Sequence, residues 1–207
     1  MRFILLGAMF LLVKSFNLAV VGASSDLGKE IIYQAIVERK FNVIGFSSNY
    51  KISYPFRGDS FNKQVTMPEF INNNLTIENY WDNIGYYEYD HLIFSTSASP
   101  FQKDYSDLLT KKFLDTLPKS CKSISLVSAF GVGNSLYEGN LGIQIMNNLY
   151  LKDVYRAKNE QEKLLENLDL NIKKFIYRPK ALSYGYTKLE SIPRDKFAKK
   201  ILDDLDF

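Results

Sequence analysis

Short apolar runs alternate along the chain with segments whose apolar residues return every three or four positions. "NLAVVG" (17–22) is a continuous apolar run, the pattern of a parallel strand buried on both faces. Leu27, Ile31, Ile32, Ala35 and Ile36 then recur at helical spacing and predict a helix to about Arg39. "FNVIGF" (41–46) predicts a second strand. Residues 47–68 are less regular and are broken by Pro55, Gly58 and Pro68. "FINNN" (70–74) fits a short third strand, "TIENYWDNI" (76–84) a helix and "HLIFSTS" (91–97) a strand. An amphipathic helix follows over 105–117, ended by Pro118, and then a strand at "SISLVSA" (123–129). The pattern continues with a long helix from about Ile145 to Leu168, a strand over 172–179 and a closing helix over 194–205. Strands separated by helices predict an α/β fold, a doubly wound, mostly parallel sheet of Rossmann-like type in a single domain. That domain is expected to span 17–207, after an apolar extension at 1–16.

Composition narrows the function classes. Hydrophobic residues make up 46% and charged residues 24%, which places the chain with soluble globular proteins. The net charge of +3 comes from scattered lysines and pairs such as Lys111-Lys112, with no basic block to track a nucleic acid. Cys121 is the single cysteine, which excludes an intrachain disulfide and a cysteine-based metal site; no metal is expected. His91 is the single histidine and reads as a solvated residue at a strand end. "MRFILLGAMFLLVK" has one Arg and an apolar run from Phe3 to Val13, too short to span a bilayer. It fits a docked or disordered extension, a membrane-surface anchor, or a start upstream of a working Met9; the first and third are favoured over membrane contact. A cytoplasmic location is expected for a cofactor-binding domain with one free thiol.

The turn "GASSDLG" (22–28) carries the first chemical signal. A strand, a glycine turn and a helix start together make an anion site, because the first N–H groups of a helix are unpaired and carry partial positive charge. Gly22 can supply the tight turn and Gly28 the close helix–strand contact, while Ser25 stands where a middle glycine is usual. Ser24 and Ser25 can offer hydroxyls to phosphate, with Asp26 and Leu27 opening the helix. Taken alone, the stretch fits either a nucleotide-binding turn or a plain βα connection.

Four stretches in the right order resemble the atypical short-chain dehydrogenase/reductases, the NmrA-like NAD(P)-binding proteins. They are "VVGASSDLGKEI", "SLVSAFGVG" (125–133), "YRAKNEQEKLLENLDLNIKKFIYRPKAL" (155–182) and "SIPRDKFAKKILDDL" (191–205). The resemblance covers 17–207 and implies a dinucleotide bound across the carboxyl ends of the strands. It implies that Ser128 polarises the acceptor and that Lys158 holds the nicotinamide ribose. Full dehydrogenase members carry Tyr-x-x-x-Lys; here Val154 stands at the tyrosine position, and Tyr155 lies three residues before Lys158. Positions i−3 and i−4 share one general face of a helix, so Tyr155 is expected to reach the site in an altered pose.

The second strand runs into "SSNYK" with no carboxylate to accept from a ribose 2′-OH. Ser47, Ser48, Lys51 and Arg57 are therefore expected around a 2′-phosphate, which favours NADP over NAD. Asn74 matches the family residue near the adenine, and Ser95, Thr96 and Ser97 would let backbone approach the cofactor. Trp81, Tyr80 and Ile84 read as core, and Tyr86, Tyr87 and Tyr89 as a packing loop. "FRGD" (56–59) and the "NLT" sequon (74–76) read as chance matches, while Arg178 and Pro179 end a strand at the carboxyl edge, where they fit either ligand contact or the shaping of a substrate loop.

Two functions fit. One is an NADP-dependent oxidoreductase acting on a small carbonyl, quinone or flavin substrate, with Ser128, Tyr155 and Lys158 as its catalytic residues. The other is a non-catalytic NADP-binding redox sensor or assembly factor, favoured by the valine at 154. The short stretch after Arg178 leaves little room for the sugar-binding lobe of an epimerase.

Overall fold

The computed structural model describes residues 16–48, 56–57, 64–65, 74–80, 82, 84–96, 105–135, 151–180, 182–183 and 191–205. Its centre is a six-stranded sheet built from β1 (Asn17–Val21), β2 (Asn42–Ser47), β5 (Leu75–Asn79), β6 (His91–Phe94), β7 (Ser123–Val127) and β8 (Lys173–Tyr177). Every pairing in this sheet is parallel, in the order β5-β2-β1-β6-β7-β8. Two short ribbons lie outside it, β3 (Phe56–Arg57) with β4 (Gln64–Val65), and β9 (Leu182–Ser183) with β10 (Ile192–Pro193). The doubly wound Rossmann-like fold expected from the sequence is the fold observed.

Both faces of the sheet are covered at β1, which is why it reads as an unbroken apolar run. In β1, Leu18 and Val20 face one core with Ile31 and Ile32 of α1 (Asp26–Val37) and Phe197 and Ile201 of α4 (Arg194–Asp203). Ala19 and Val21 face the other core, with Phe113 of α2 (Ser106–Asp115) and Leu165 of α3 (Lys152–Glu166). Side chains alternate across a strand, so one apolar run serves two layers.

Two sequence expectations are corrected. The helix expected over 76–84 is instead the edge strand β5, followed by a short 3-10 turn at Ile84–Tyr86. Ile77, Tyr80 and Ile84 mimic helical spacing, but the backbone of 75–79 pairs with the open edge of β2. Ile77 fills the space a side chain at Gly45 would take. His91 is not solvated; it opens β6 at 3% exposure, and its Nδ1 lies 2.7 Å from Ser123 Oγ. Other boundaries move by a few residues, and α3 starts at Lys152. The expectations over 1–15, 70–73, 97, 145–150 and Trp81 fall outside the described residues. Among the described residues, no helix is long and apolar enough to cross a membrane.

Candidate functional site

The strand order reverses between β1 and β6, and ligands of open parallel sheets bind at the carboxyl ends of the strands at such a point. Gly22 leaves β1 there with φ +92°, a conformation side chains rarely adopt. A Cβ on it would come within 2.7 Å of the Ser95 backbone. The N–H groups of Gly22 and Ala23 both donate to the Phe46 carbonyl at 3.0 Å, which ties the turn to β2. Gly28 packs so tightly that a Cβ would overlap the Gly22 carbonyl oxygen. Both glycines are therefore required by contacts between the turn, α1 and β6.

Ser25 is the N-cap of α1. Its hydroxyl accepts from Gly28 N at 2.9 Å and donates to the Ser95 carbonyl at 2.9 Å. The Ser25 hydroxyl thus ties the turn to α1 and to the end of β6. Ser95 Oγ donates in turn to the Val21 carbonyl at 3.1 Å. Ser24 is exposed. Asp26 and Leu27 occupy the first two helical positions, whose amides have no intrahelical partner, and both line a cleft of about 250 Å³.

The far wall of that cleft holds Ser128, Val154 and Lys158. Lys158 is 5% exposed, and its Nζ donates to the carbonyls of Thr96 at 2.9 Å and Val127 at 3.0 Å. It joins α3 to the ends of β6 and β7. Ser128 is 6% exposed, yet its Oγ has no hydrogen-bond partner among the described residues. A buried hydroxyl left unpaired is unfavourable unless a ligand completes it, and this one borders the cleft. Ser128 and Lys158 both line this cleft. Tyr155 does not join them, because its hydroxyl donates to the Phe130 carbonyl at 2.8 Å and Val154 takes the cleft position.

Other sequence candidates scatter. Ser47 is fully buried, so it is Ser48 that stands exposed at the end of β2, where its carbonyl accepts from Asn79 Nδ2 at 3.0 Å. Asn74 precedes β5 and lies at the amino edge of the sheet, across the strand from the glycine turn. Asn79, at the carboxyl end of β5, holds the place expected for Asn74. The helical pattern of 76–84 in the sequence hides that position. Glu78 beside it opens on a second cleft of about 340 Å³ with Phe46 and Tyr87. Lys51, Ser97 and the side chain of Arg57 fall outside the described residues.

Two ionic features complete the surroundings. Arg178 forks onto Glu162, Nε to Oε1 at 3.0 Å and Nη2 to Oε2 at 2.7 Å, and so braces β8 against α3. Arg194, the first residue of α4, lines the cleft with Pro179 and Leu182. The sequence showed Arg194 only as a helix start; nothing local signals that α4 packs on α1.

These contacts frame a cleft at the carboxyl edge of the sheet. One side offers helix-start amides, the other a buried hydroxyl and a lysine fixed at two strand ends. No family model matches the chain, and no curated protein matches it in sequence. In three dimensions it is similar to a Bacillus halodurans protein described as an NAD-dependent epimerase/dehydratase, with TM-score 0.64 and 15% identity over 93% of this chain and 88% of that one. It is similar to a Streptococcus pneumoniae protein described as an NADH-flavin reductase, with TM-score 0.63 and 15% identity over 93% of each chain. It is also similar to an anaerobillin reductase of Escherichia coli O157:H7, with TM-score 0.61 and 12% identity over 92% of this chain and 90% of that one. At these identities the likeness is one of fold: the chain has the Rossmann-like architecture of those proteins along nearly its whole length.

Proposed function

We propose that the protein is a nicotinamide-dinucleotide-dependent reductase, with NADPH preferred, that delivers hydride to a conjugated acceptor such as a flavin or quinone. The observation that carries this reading is Ser128, which lines the cleft with Lys158 and whose buried hydroxyl has no hydrogen-bond partner among the described residues. The amides of Asp26 and Leu27 would hold the pyrophosphate, and Lys158 would orient the nicotinamide ribose. The dinucleotide supplies a hydride when bound. Ser128 donates a hydrogen bond to the acceptor oxygen or nitrogen where negative charge develops.

Among the described residues that line the cleft there is no tyrosine, which supports a conjugated acceptor. A saturated carbonyl needs a proton delivered to its alkoxide, and a dehydrogenase tyrosine does that work. Here Val154 occupies the cleft position and the Tyr155 hydroxyl is bonded to Phe130. A flavin or quinone spreads the incoming charge over its ring and takes its proton from solvent. Acceptor, NADPH and one proton then give reduced acceptor and NADP. Two structural neighbours are named as reductases of a flavin and of anaerobillin, which supports the same class. NADPH preference rests on β2 and Ser48, which place no carboxylate at the strand end.

Val154 and the engaged Tyr155 also favour a second reading, a redox sensor that binds the dinucleotide without turnover. NADPH oxidation measured with riboflavin, a naphthoquinone and an aliphatic aldehyde separates the two. The reductase should turn over the first two and not the third, unchanged by Tyr155→Phe and slowed about 10²-fold by Ser128→Ala. No oxidation above background with any acceptor leaves the sensor.

A further inference from the structure

We propose that Arg194 is the anion-binding side chain of the cleft and that its ligand is a phosphate oxyanion, either the pyrophosphate of the dinucleotide or a phosphate on the acceptor. The inference deepens the proposed function and rests on its placement of ligands in this cleft.

Two helices begin on this cleft from elements far apart in sequence. α1 presents Asp26 and Leu27, and α4 presents Arg194. Each helix start carries partial positive charge on its first amides, and α4 has Pro193 at its cap with no side-chain hydrogen bond to satisfy them. The two helices pack on each other, and Gln34 Nε2 donates to the Asp195 carbonyl at 2.9 Å, which fixes the start of α4 beside α1.

The turn alone is poorly suited to a phosphate. Asp26 puts a carboxylate in the first turn of α1, and like charge there opposes an incoming anion. A cation on the same cleft offsets it. Lys158 donates to the carbonyls of Thr96 and Val127. Arg194 stands at the other helix start and lines the cleft, with its Nη1 buried. A planar guanidinium matches the geometry of two phosphate oxygens. The unpartnered Ser128 hydroxyl on the same cleft is a second, independent sign that a polar ligand completes the site.

The test is calorimetric titration of wild type, Arg194→Met and Arg194→Lys with ADP-ribose, FMN and riboflavin. ADP-ribose carries the pyrophosphate without the nicotinamide, and FMN differs from riboflavin by one phosphate. If the dinucleotide supplies the anion, Arg194→Met binds ADP-ribose about tenfold more weakly, and Arg194→Lys recovers part of the loss. If the acceptor supplies it, FMN weakens about tenfold and riboflavin does not change. Either result supports the proposal. Affinities for ADP-ribose and FMN unchanged in a folded Arg194→Met protein overturn it, as does a wild type that binds neither. Should Arg194→Met fail to fold, the wild-type protein is read by phenylglyoxal modification and peptide mass spectrometry. ADP-ribose or FMN should then slow modification of Arg194, and an unchanged rate with both overturns the proposal. Failure of the reductase reading looks different: Arg194-dependent binding of ADP-ribose with no acceptor oxidising NADPH keeps the anion site and removes the enzyme.

Discussion

The two edges of the sheet are made from the same strands and differ in what their buried polar groups do. At the amino edge Asp90, Lys122, the Asn17 amide, His91 Nδ1 and Ser123 meet one another. Asp90 accepts from Lys122 Nζ at 2.6 Å and from the Asn17 amide at 3.2 Å, and His91 shares a hydrogen bond with Ser123. Cys121 lies alongside, its thiol pushed up to about 12 by burial and therefore unreactive. At the carboxyl edge the glycine turn is braced as firmly, yet Ser128 Oγ and the first amides of α1 border a cleft. Polar groups satisfied by the chain hold a fold together, and polar groups left facing a cavity mark where a ligand completes it.

The sharpest break in this comparison is at Gly28. Alanine there would overlap the Gly22 carbonyl, so Gly28→Ala should lower unfolding free energy by about 3 kcal/mol or more in urea denaturation. Gly22→Val is a poor probe of ligand binding for a related reason: the space beside Gly22 is filled by the Ser95 backbone.

A pair of truncations sets one edge against the other. Asp90→Ala should cost about 1–3 kcal/mol of stability and leave dinucleotide affinity intact, because it strands Lys122 and the Asn17 amide. Ser128→Ala should leave stability unchanged or raise it by about 1 kcal/mol, since it deletes an unpaired buried hydroxyl, while it slows turnover. Denaturation and kinetics on both variants check the contrast; equal losses of stability would erase it.

Selectivity is a smaller effect. Ser48→Asp places a carboxylate on the exposed end of β2 and should weaken NADPH relative to NADH about tenfold, or about 1.4 kcal/mol, in paired titrations. Ser47→Asp would instead bury a charge.

The smallest expected effect is acid sensitivity of the amino edge. Burial holds the His91 pKa below its ordinary value of 6.5, so the unfolded chain takes up a proton there first as pH falls. Burial pushes the Asp90 carboxyl up, but hydrogen bonds from Lys122 and the Asn17 amide outweigh it and hold it below the ordinary carboxylate value. The depressed histidine loses its stabilising contribution as pH falls through 6.5, and the depressed carboxylate loses its own at lower pH, near its folded value. Both therefore remove stability on acidification. Urea midpoints between neutral and mildly acidic pH should fall, and His91→Gln should flatten the upper part of that fall.

What the sequence showed of this molecule was what local pattern encodes. The run 17–22 announced a strand buried on both faces, and the two glycines announced a turn. β5 escaped because "LTIEN" is short and gains its strand identity from pairing with β2, a contact no window of residues contains. Asn79 lies at the carboxyl end of that strand, and Asn74 at the amino edge. The burial of His91 depends on Ser123 and on Phe16, whose ring lies 6.2 Å away, again from separate elements. Arg194 joined the cleft only through the packing of α4 on α1. Tyr155 shows the limit of face-sharing arguments: three positions before Lys158 it lies on the right helix, but its hydroxyl finds the Phe130 carbonyl.

The central claim is that the carboxyl-edge cleft takes a nicotinamide dinucleotide. Amide hydrogen exchange with and without saturating NADPH, read by peptide mass spectrometry, tests it most directly. Protection is expected in peptides spanning Gly22 to Gly28, Ser95 to Thr96 and Ser128, with no change at His91 or at Cys121 to Ser123. No protection at the first set, or protection at the amino edge instead, would contradict the account.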